Sequence, residues 1–220
     1  MQILEMLKKE YIDSDKINQL LKSGNISILD DFLNNWKNIE TFYKEYYSDG
    51  IPKIVLCGIN PGKNGAGKTG IPFSDFESIS KLIQGIDRRD NERSATFFNE
   101  IVEHFGAKEF YKNFYVTNIS WIGYEKDGKN VNYYDLPESV QQIIYNIFKK
   151  EMDLIKPKYI ISLGQSVQKS LNEIFDNKNI DISNYLPHPN WCSFPSKKTY
   201  SKDKYINLLS ELIKLEEMSH

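Results

Sequence analysis

The amino-acid sequence predicts an α/β fold, a three-layer α/β/α sandwich built around a central, mostly parallel four-stranded sheet. Short apolar runs bounded by Gly, Pro or Asn alternate with segments whose apolar residues recur at helical spacing. This alternation is typical of parallel sheets that helices cover on both faces. The 220 residues are enough for one domain with a sizeable core, so we predict a single domain over 1–220.

The first fifty residues are predicted to form a helical extension, 1–50, that packs on an α/β core over 51–220. Ile3 and Leu7 are one helical turn apart, and a second segment with helical periodicity runs over 27–47. After this part the periodicity changes from helical spacing to short continuous apolar runs, which is the pattern of buried strands.

Four strand candidates follow one another along the core, and a helical segment lies in each interval between them. The predicted strands are Lys53–Gly58, Asn113–Asn118, Lys158–Leu163 and Ile180–Leu186. The predicted helices are Phe97–Phe105, Leu136–Ile155, Val167–Phe175 and Lys202–Glu216. The chain shows no internal repeat and no low-complexity tract that would divide it.

Three polar residues stand at, or just beyond, the carboxyl ends of predicted strands. They are Asn60, Asn118 and His188, from distant parts of the chain. Ligands of open α/β sheets bind at the carboxyl ends of the strands, so we expect these side chains to converge on one crevice. Each residue taken alone is better explained by a role in a turn or a helix cap.

Lysines gather in two loops of a chain whose formal net charge is only −2. Local positive charge of this kind can meet a phosphate backbone, although a solvated lysine-rich surface is the simpler interpretation of charge alone. A noncatalytic nucleic-acid-binding protein therefore stays open as an alternative. The two loops carry Lys53, Lys63 and Lys68, and then Lys197, Lys198, Lys202 and Lys204.

Composition and sequence patterns predict a cytoplasmic protein without a metal cluster, and we expect a monomer. There is no run of about 18 apolar residues to span a membrane, and the first residues lack the pattern of a secretory signal. The two cysteines, Cys57 and Cys192, are too few for a metal cluster and fit a reducing compartment. The abundance of Lys, Asn and Ile is typical of AT-rich bacterial genomes.

The segment Gly62–Thr69 matches G-x-x-x-x-G-K-[ST], the phosphate-binding loop of nucleotide hydrolases. That loop needs a helix starting at its Gly-Lys-Thr end, and Pro72 would interrupt such a helix at a cost of about 3 kcal/mol. No later strand ends in the Asp that would hold magnesium. A nucleotide hydrolase that uses Lys68 is therefore the less favoured alternative.

The same loop resembles the first motif of the single-strand-selective monofunctional uracil-DNA glycosylases, within the uracil-DNA glycosylase superfamily. The matching residues are Gly58-Ile-Asn-Pro-Gly62 and, at the family's spacing, Thr69-Gly-Ile-Pro-Phe73. Asn118 at a strand end and His188-Pro189 match the second and third motifs in order and spacing. The resemblance covers roughly 50–210 and indicates a divergent bacterial member.

The chain departs from the family pattern at several positions. Lys63 replaces the second proline of the first motif, and Lys68 replaces its glutamine. Asn118 is followed by Ile-Ser-Trp, where the family has a Cys-Pro-Leu-like stretch. After Pro189, the residues Asn190-Trp-Cys replace Ser-Pro-Arg, which leaves the side chain that enters the DNA duplex undefined.

The resemblance implies a monofunctional enzyme that removes uracil from DNA without a cofactor and leaves an abasic site. It assigns catalysis to Asn60, which would position the attacking water, and to His188, which would donate a hydrogen bond to O2 of the departing base. It assigns base binding to Phe73 by stacking, to Asn118 through the amide edge, and to the backbone N–H of Ile59.

Two further expectations follow from the resemblance, one on base choice and one on DNA contact. Gly62 stands where the strictest uracil enzymes carry Tyr, so we expect open space beside C5 and excision of 5-hydroxymethyluracil as well as uracil. Oxidised pyrimidines are thus expected substrates, and a deaminated purine stays open. The residues expected to contact DNA are Lys63, Lys68, Asn190, Trp191, Lys197 and Lys198, with Trp191 or Phe194 as a wedge or, equally, as core.

Overall fold

A computed structural model describes residues 2–12, 15–22, 24–30, 33–175 and 180–218. Its main sheet has four parallel strands, which are β2 Ile54–Gly58, β3 Phe114–Asn118, β6 Tyr159–Leu163 and β7 Tyr185–Leu186. Their order in the sheet is β3-β2-β6-β7. All four predicted strands are present, and the prediction of a parallel four-stranded sheet is confirmed.

Helices cover both faces of the sheet, which confirms the predicted three-layer fold class. Every residue of β2 and β3 is buried, so neither strand shows the alternation of a half-exposed sheet. Successive residues of β3 point to opposite layers. Tyr115 bonds to Glu151 of helix α8, Glu138–Ile155, whereas the Phe114 ring contacts Phe105 and Phe110 in the other layer.

The other helices of the core connect the strands or flank the pocket described below. They are α4 Ala66–Thr69, α5 Phe76–Ser80, α6 Arg93–Phe105, α7 Ala107–Asn113, α9 Gln165–Ile174, α10 Pro189–Cys192 and α11 Pro195–Glu217. A short 3₁₀ turn, Tyr133–Asp135, precedes α8. None of the helices in the described ranges is long and apolar enough to span a bilayer.

The N-terminal part is mainly helical and packs on α8. Its helices are α1 Gln2–Leu7, which continues as a π-helical turn to Ile12, α2 Asp15–Lys22 and α3 Trp36–Tyr46, with a 3₁₀ turn at Leu33–Asn35. The expectation of helices alone was wrong, because β1, Ser27–Ile28, pairs antiparallel with β4, Tyr124–Lys126. With β5, Lys129–Val131, these strands form a second sheet in the order β1-β4-β5.

Some predicted boundaries differ from the structure for identifiable reasons. The fourth strand is only Tyr185–Leu186, with an isolated bridge between Tyr159 and Asp181, because it lies at the sheet edge. Helix α11 begins at Pro195, seven residues before the predicted start, because Pro fits the first helical position. Helix α6 begins at Arg93 rather than Phe97, because the Glu92 side chain caps its first turn.

Candidate active site

A cavity of about 370 Å³ opens at the carboxyl ends of the parallel strands. Asn60 follows β2, Asn118 ends β3, and His188 follows β7, and all three side chains line this cavity, as the strand pattern led us to expect. Of the other residues expected in the site, Ile59, Gly62, Phe73 and Asn190 also line it. The wall includes further residues that the sequence did not single out, which are Asn64, Glu92, Ser94, Asn130, Asn132 and Tyr134.

Phe73 holds its ring in the cavity through a strained backbone. Its φ angle is 54°, in the left-handed region that a non-glycine residue adopts only when its surroundings enforce it. One face of the ring stacks on Phe98, with centroids 4.8 Å apart and planes inclined by 23°. The His188 ring centroid lies 6.1 Å away. The ring is thus fixed in place beside the space where a ligand would lie.

Asn118 and Phe73 lie so close to the backbone of Gly58 that no residue other than glycine would fit at position 58. A Cβ atom on Gly58 would lie 2.3 Å from Asn118 Oδ1 and 2.4 Å from Cζ of Phe73. Both contacts are impossible, so glycine at the end of β2 is required by the pocket itself. The buried amide of Asn118 makes no hydrogen bond to the described residues and so remains available to a ligand.

His188 has one ring nitrogen fixed by the backbone. The N–H of Asn190 donates to Nδ1 at 3.1 Å, so the neutral ring carries its proton on Nε2. Burial lowers the pKa of His188 below its ordinary value, and the negative charge of Glu92 partly opposes this effect. The site therefore favours a neutral imidazole with one N–H free to donate.

The Asn60 amide is tied to the segment that follows β5. Oδ1 accepts the backbone N–H of Tyr133 at 2.9 Å, while Nδ2 lies 3.3 Å from the carbonyl oxygens of Pro61 and Val131. A carbonyl oxygen can accept two hydrogen bonds, so Oδ1 keeps one acceptor position for a water molecule. The same contacts hold the β4–β5 hairpin against the cavity.

The space beside Gly62 differs from the open volume that the sequence led us to expect. A Cβ atom on Gly62 would lie 3.3 Å from Nδ2 of Asn130, a residue of β5. The φ angle of Gly62 lies outside the left-handed region, so its backbone does not by itself require glycine. An amide therefore stands where we expected empty space.

Glu92 is a carboxylate in the cavity wall that the sequence did not reveal. Oε2 accepts the backbone N–H of Ala95 at 3.0 Å, and Oε1 accepts the hydroxyl of Ser94 at 3.1 Å. These bonds cap α6 and fix the carboxylate. A Cβ atom on Gly65 would lie 3.4 Å from Cβ of Glu92, so the loop after β2 packs closely against it.

The segment that matched a phosphate-binding loop has a different architecture. The N–H groups of Gly65 and Gly67 both donate to the carbonyl oxygen of Gly62, and α4 ends after four residues. Nζ of Lys68 pairs with Asp90 at 3.1 Å. The Thr69 hydroxyl is buried and donates to a backbone carbonyl. The loop's N–H groups, the Lys68 ammonium and the Thr69 hydroxyl are therefore already bonded within the protein, and its helix is short. The segment does not form the nucleotide site of the alternative hypothesis.

Aromatic and cationic side chains lie together at α10 and the start of α11. Trp191 and Phe194 are 44% and 46% exposed, so the alternative that both are core residues was wrong. Lys197 Nζ lies 5.4 Å from the centroid of the Trp191 ring, and Arg93 lies 6.0 Å from that of Phe194. We call these four residues the aromatic rim.

Other lysines expected at the DNA are paired with acidic side chains. Lys63 bonds to the carbonyl oxygen of Gly128 and lies 3.4 Å from Glu125. Lys198 pairs with Glu100. These partners reduce the positive charge that the two lysines present to a phosphate.

A family model described as the uracil DNA glycosylase superfamily matches residues 45–210. The chain belongs to this superfamily. It is accordingly a DNA glycosylase, a hydrolase of DNA repair. The crystal structure of wild-type Pedobacter heparinus SMUG2 is similar, with a TM-score of 0.72 and 26% identity over 86% of this chain and 89% of that one. No curated protein matches the chain in a sequence comparison.

Proposed function

We propose that this glycosylase is monofunctional and hydrolyses the N-glycosidic bond of uracil and 5-hydroxymethyluracil in DNA, leaving an abasic site. The observation that carries the proposal is the arrangement of three groups in the cavity. The Phe73 ring, which a strained backbone holds in place, lies with a free Asn118 amide and with a His188 ring whose proton is fixed on Nε2. These three groups match a flat ring, an amide edge and a carbonyl oxygen. A pyrimidine base presents all three.

The target base must leave the duplex stack before the cavity can hold it. The free face of Phe73 would stack on the flipped ring, because its other face already packs on Phe98. Oδ1 of Asn118 would accept uracil N3–H, and Nδ2 would donate to O4. Cytosine presents a bare N3 acceptor and a 4-amino donor, so the same amide orientation rejects it.

Breaking the bond leaves positive charge on the sugar and negative charge on the base. The Nε2–H of His188 would donate to O2, where the negative charge develops. A neutral imidazole suits this role because its Nε2–H can donate a hydrogen bond without transferring its proton before the N-glycosidic bond breaks. The backbone N–H of Ile59 would support the base from the end of β2.

The free acceptor position on Asn60 Oδ1 would orient the attacking water. An amide is not a useful general base, so we expect a modest rate compared with a carboxylate in this position. Among the described residues that line the cavity there is no lysine. This composition supports a hydrolytic, monofunctional mode, since a strand-cleaving glycosylase needs an amine nucleophile.

The aromatic rim would contact DNA beside the cavity. An apolar ring such as Trp191 or Phe194 can fill the gap left by a flipped base, and Arg93 and Lys197 can meet the phosphates. Asn190 lines the cavity and joins it to this surface. Lys63, Lys68 and Lys198 would contribute less, because each already pairs with an acidic group.

The test is incubation with uracil-containing oligonucleotides, single-stranded and duplex, in EDTA, followed by alkali. We expect strand breaks only after alkali, because an abasic site remains intact until then. Breaks without alkali would refute the monofunctional mode. Binding of the oligonucleotide without release of uracil would refute the proposed substrate and favour a binding protein or another base.

A further inference from the structure

A second hollow, of about 290 Å³, adjoins the cavity and shares one wall residue with it, Tyr134. It lies between the 3₁₀ turn Tyr133–Asp135 and helix α9, whose residues Ser166, Lys169 and Ser170 line it. We call this hollow the flanking groove. The mechanism above gives no role to Tyr134 or to the groove, although Tyr134 borders the space assigned to the flipped base.

The turn that carries Tyr134 is held in place by hydrogen bonds on both sides of this residue. The backbone N–H of Tyr133 donates to Oδ1 of Asn60, and the Tyr133 hydroxyl donates to the hydroxyl of Ser170 on α9. The Gln141 side chain donates to the carbonyl oxygen of Tyr134 at 3.1 Å. The backbone at Tyr134 is therefore fixed relative to Asn60, the residue proposed to orient the attacking water.

The ring of Tyr134 is only partly covered by the protein. The Tyr133 ring meets it edge to face, with centroids 5.4 Å apart and planes inclined by 76°. The residue stays 36% exposed. An aromatic ring that is anchored through its backbone and open to solvent can stack on a nucleobase, and such stacking accepts any base because every base has a π face.

Lys169 adds an available positive charge to the flanking groove. Its side chain is exposed and, unlike Lys68 and Lys198, it pairs with no acidic side chain within the described ranges. Glu173, one turn further along α9, also borders the groove. Burial raises the pKa of Tyr145 and the negative charge of Glu173 raises it further, so this carboxylate lies near the Tyr145 hydroxyl. Lys169 is thus free to meet a phosphate.

We propose that the flanking groove is a subsite for the nucleotide next to the flipped one, whose base stacks on Tyr134 and whose phosphate meets Lys169. A single phosphate joins neighbouring nucleotides, so a base held in the cavity keeps its neighbour at the cavity's border, where Tyr134 lies. The subsite rests on the proposed function only in needing a flipped base in the cavity, whichever base that is. Stacking needs no complementary strand, so the contact serves single-stranded DNA, which has no duplex gap for a wedge to fill.

The test removes the ring and the neighbouring base separately and together. Three single-stranded oligonucleotides carry one uracil each, and in two of them the 5′ or the 3′ neighbour is a tetrahydrofuran residue, which lacks a base. Dissociation constants are measured with a 2′-fluoroarabino sugar at the uracil, which resists excision, and uracil release is measured with the ordinary sugar.

On the complete oligonucleotide, Tyr134→Ala should weaken binding about five- to a hundredfold, the effect of one stacked base. Tyr134→Phe keeps a stacking ring and should restore most of this binding. On one of the two oligonucleotides that lack a neighbouring base, Tyr134→Ala and the wild type should bind within about twofold of each other, because no base is left for the ring to stack on. Lys169→Ala should reduce the slope of log Kd against log salt by about 0.7, the effect of one phosphate contact on a single strand.

Leu154→Ala and Lys112→Ala are the matched controls for the ring and the charge. Both residues are exposed, and they lie at the sheet edge opposite the cavity, where α8 and α7 end just before β6 and β3. Neither variant should change binding or its salt dependence.

An equal loss by Tyr134→Ala on all three oligonucleotides would overturn the proposal, because the ring would then act on the flipped base or on the cavity itself. No loss on any of them, or an unchanged salt slope in Lys169→Ala, would overturn it as well. If the wild type releases no uracil while the binding results hold, the proposed function is refuted and the subsite is not.

Discussion

The carboxyl group of Glu151 should make the protein less stable as the pH rises from about 5 to 8. Glu151 lies on α8 and is 1% exposed. Its Oε1 accepts the hydroxyls of Tyr115 at 2.8 Å and Thr117 at 2.9 Å, and no cation among the described residues pairs with it. Burial raises its pKa from the ordinary 4.5 to about 7, while the two hydroxyls oppose that rise.

The sign follows from the protons bound in each state. Between pH 4.5 and 7 the unfolded chain has lost this proton and the folded chain retains it, so stability falls as the pH rises through this window. The two pKa values differ by about 2.5, which corresponds to about 3 kcal/mol in total. Most of this loss should occur between pH 5 and pH 8.

The assay is urea unfolding of the wild type and of Glu151→Gln at pH 5, 6, 7 and 8. The Gln side chain cannot titrate, and its carbonyl can still accept from both hydroxyls. We expect the wild type to lose about 2–3 kcal/mol of stability relative to the variant across this range. Glu211→Gln, on the exposed face of α11, is the control and should follow the wild type. If the stability difference between the wild type and Glu151→Gln is flat with pH, or changes with the opposite sign, the reasoning is refuted.

The remaining predictions concern the cavity and its rim. Asn60→Ala and His188→Ala should each lower single-turnover uracil release at least about tenfold, and full release by both folded variants would refute the site. Lys68→Ala should leave excision largely intact and weaken DNA binding only slightly, because Lys68 already pairs with Asp90; a magnesium-dependent ATP hydrolysis that this variant loses would contradict the glycosylase assignment. Trp191→Ala should lose activity selectively on duplex DNA, and equal loss on single strands would argue against a wedge. Glu92→Gln should lower the pKa of His188 further, as NMR titration of the ring would show; an unchanged pKa would mean that the two do not interact.

The sequence predicted the part of the site that belongs to the main sheet. Buried parallel strands have a strong apolar signal, and their carboxyl ends meet at one edge by topology alone. Asn118 and His188 could therefore be placed together although 70 positions separate them in the sequence. Their roles remain predictions, since geometry alone does not test chemistry.

The sequence did not reveal the wall that the second sheet contributes. Strands β1, β4 and β5 have two or three residues each, too short for an alternating pattern to be visible. The Asp127-Gly128 pair is a hairpin signal that could have indicated β4 and β5. Nothing local places Asn130 against Gly62 or Glu92 in the cavity, because both contacts depend on how separate loops pack.

The backbone strain at Phe73 indicates that the pocket is formed before DNA arrives. A left-handed non-glycine residue costs about 1–3 kcal/mol, and here the stack on Phe98 and the bare backbone of Gly58 hold it. A ring used only for core packing would gain nothing from this conformation, since an unstrained Phe packs equally well. Because the ring and its polar neighbours are already in place, binding need not order this loop. Under the proposed function, the interaction energy is then available for extracting the target base from its stack, which costs a few kcal/mol.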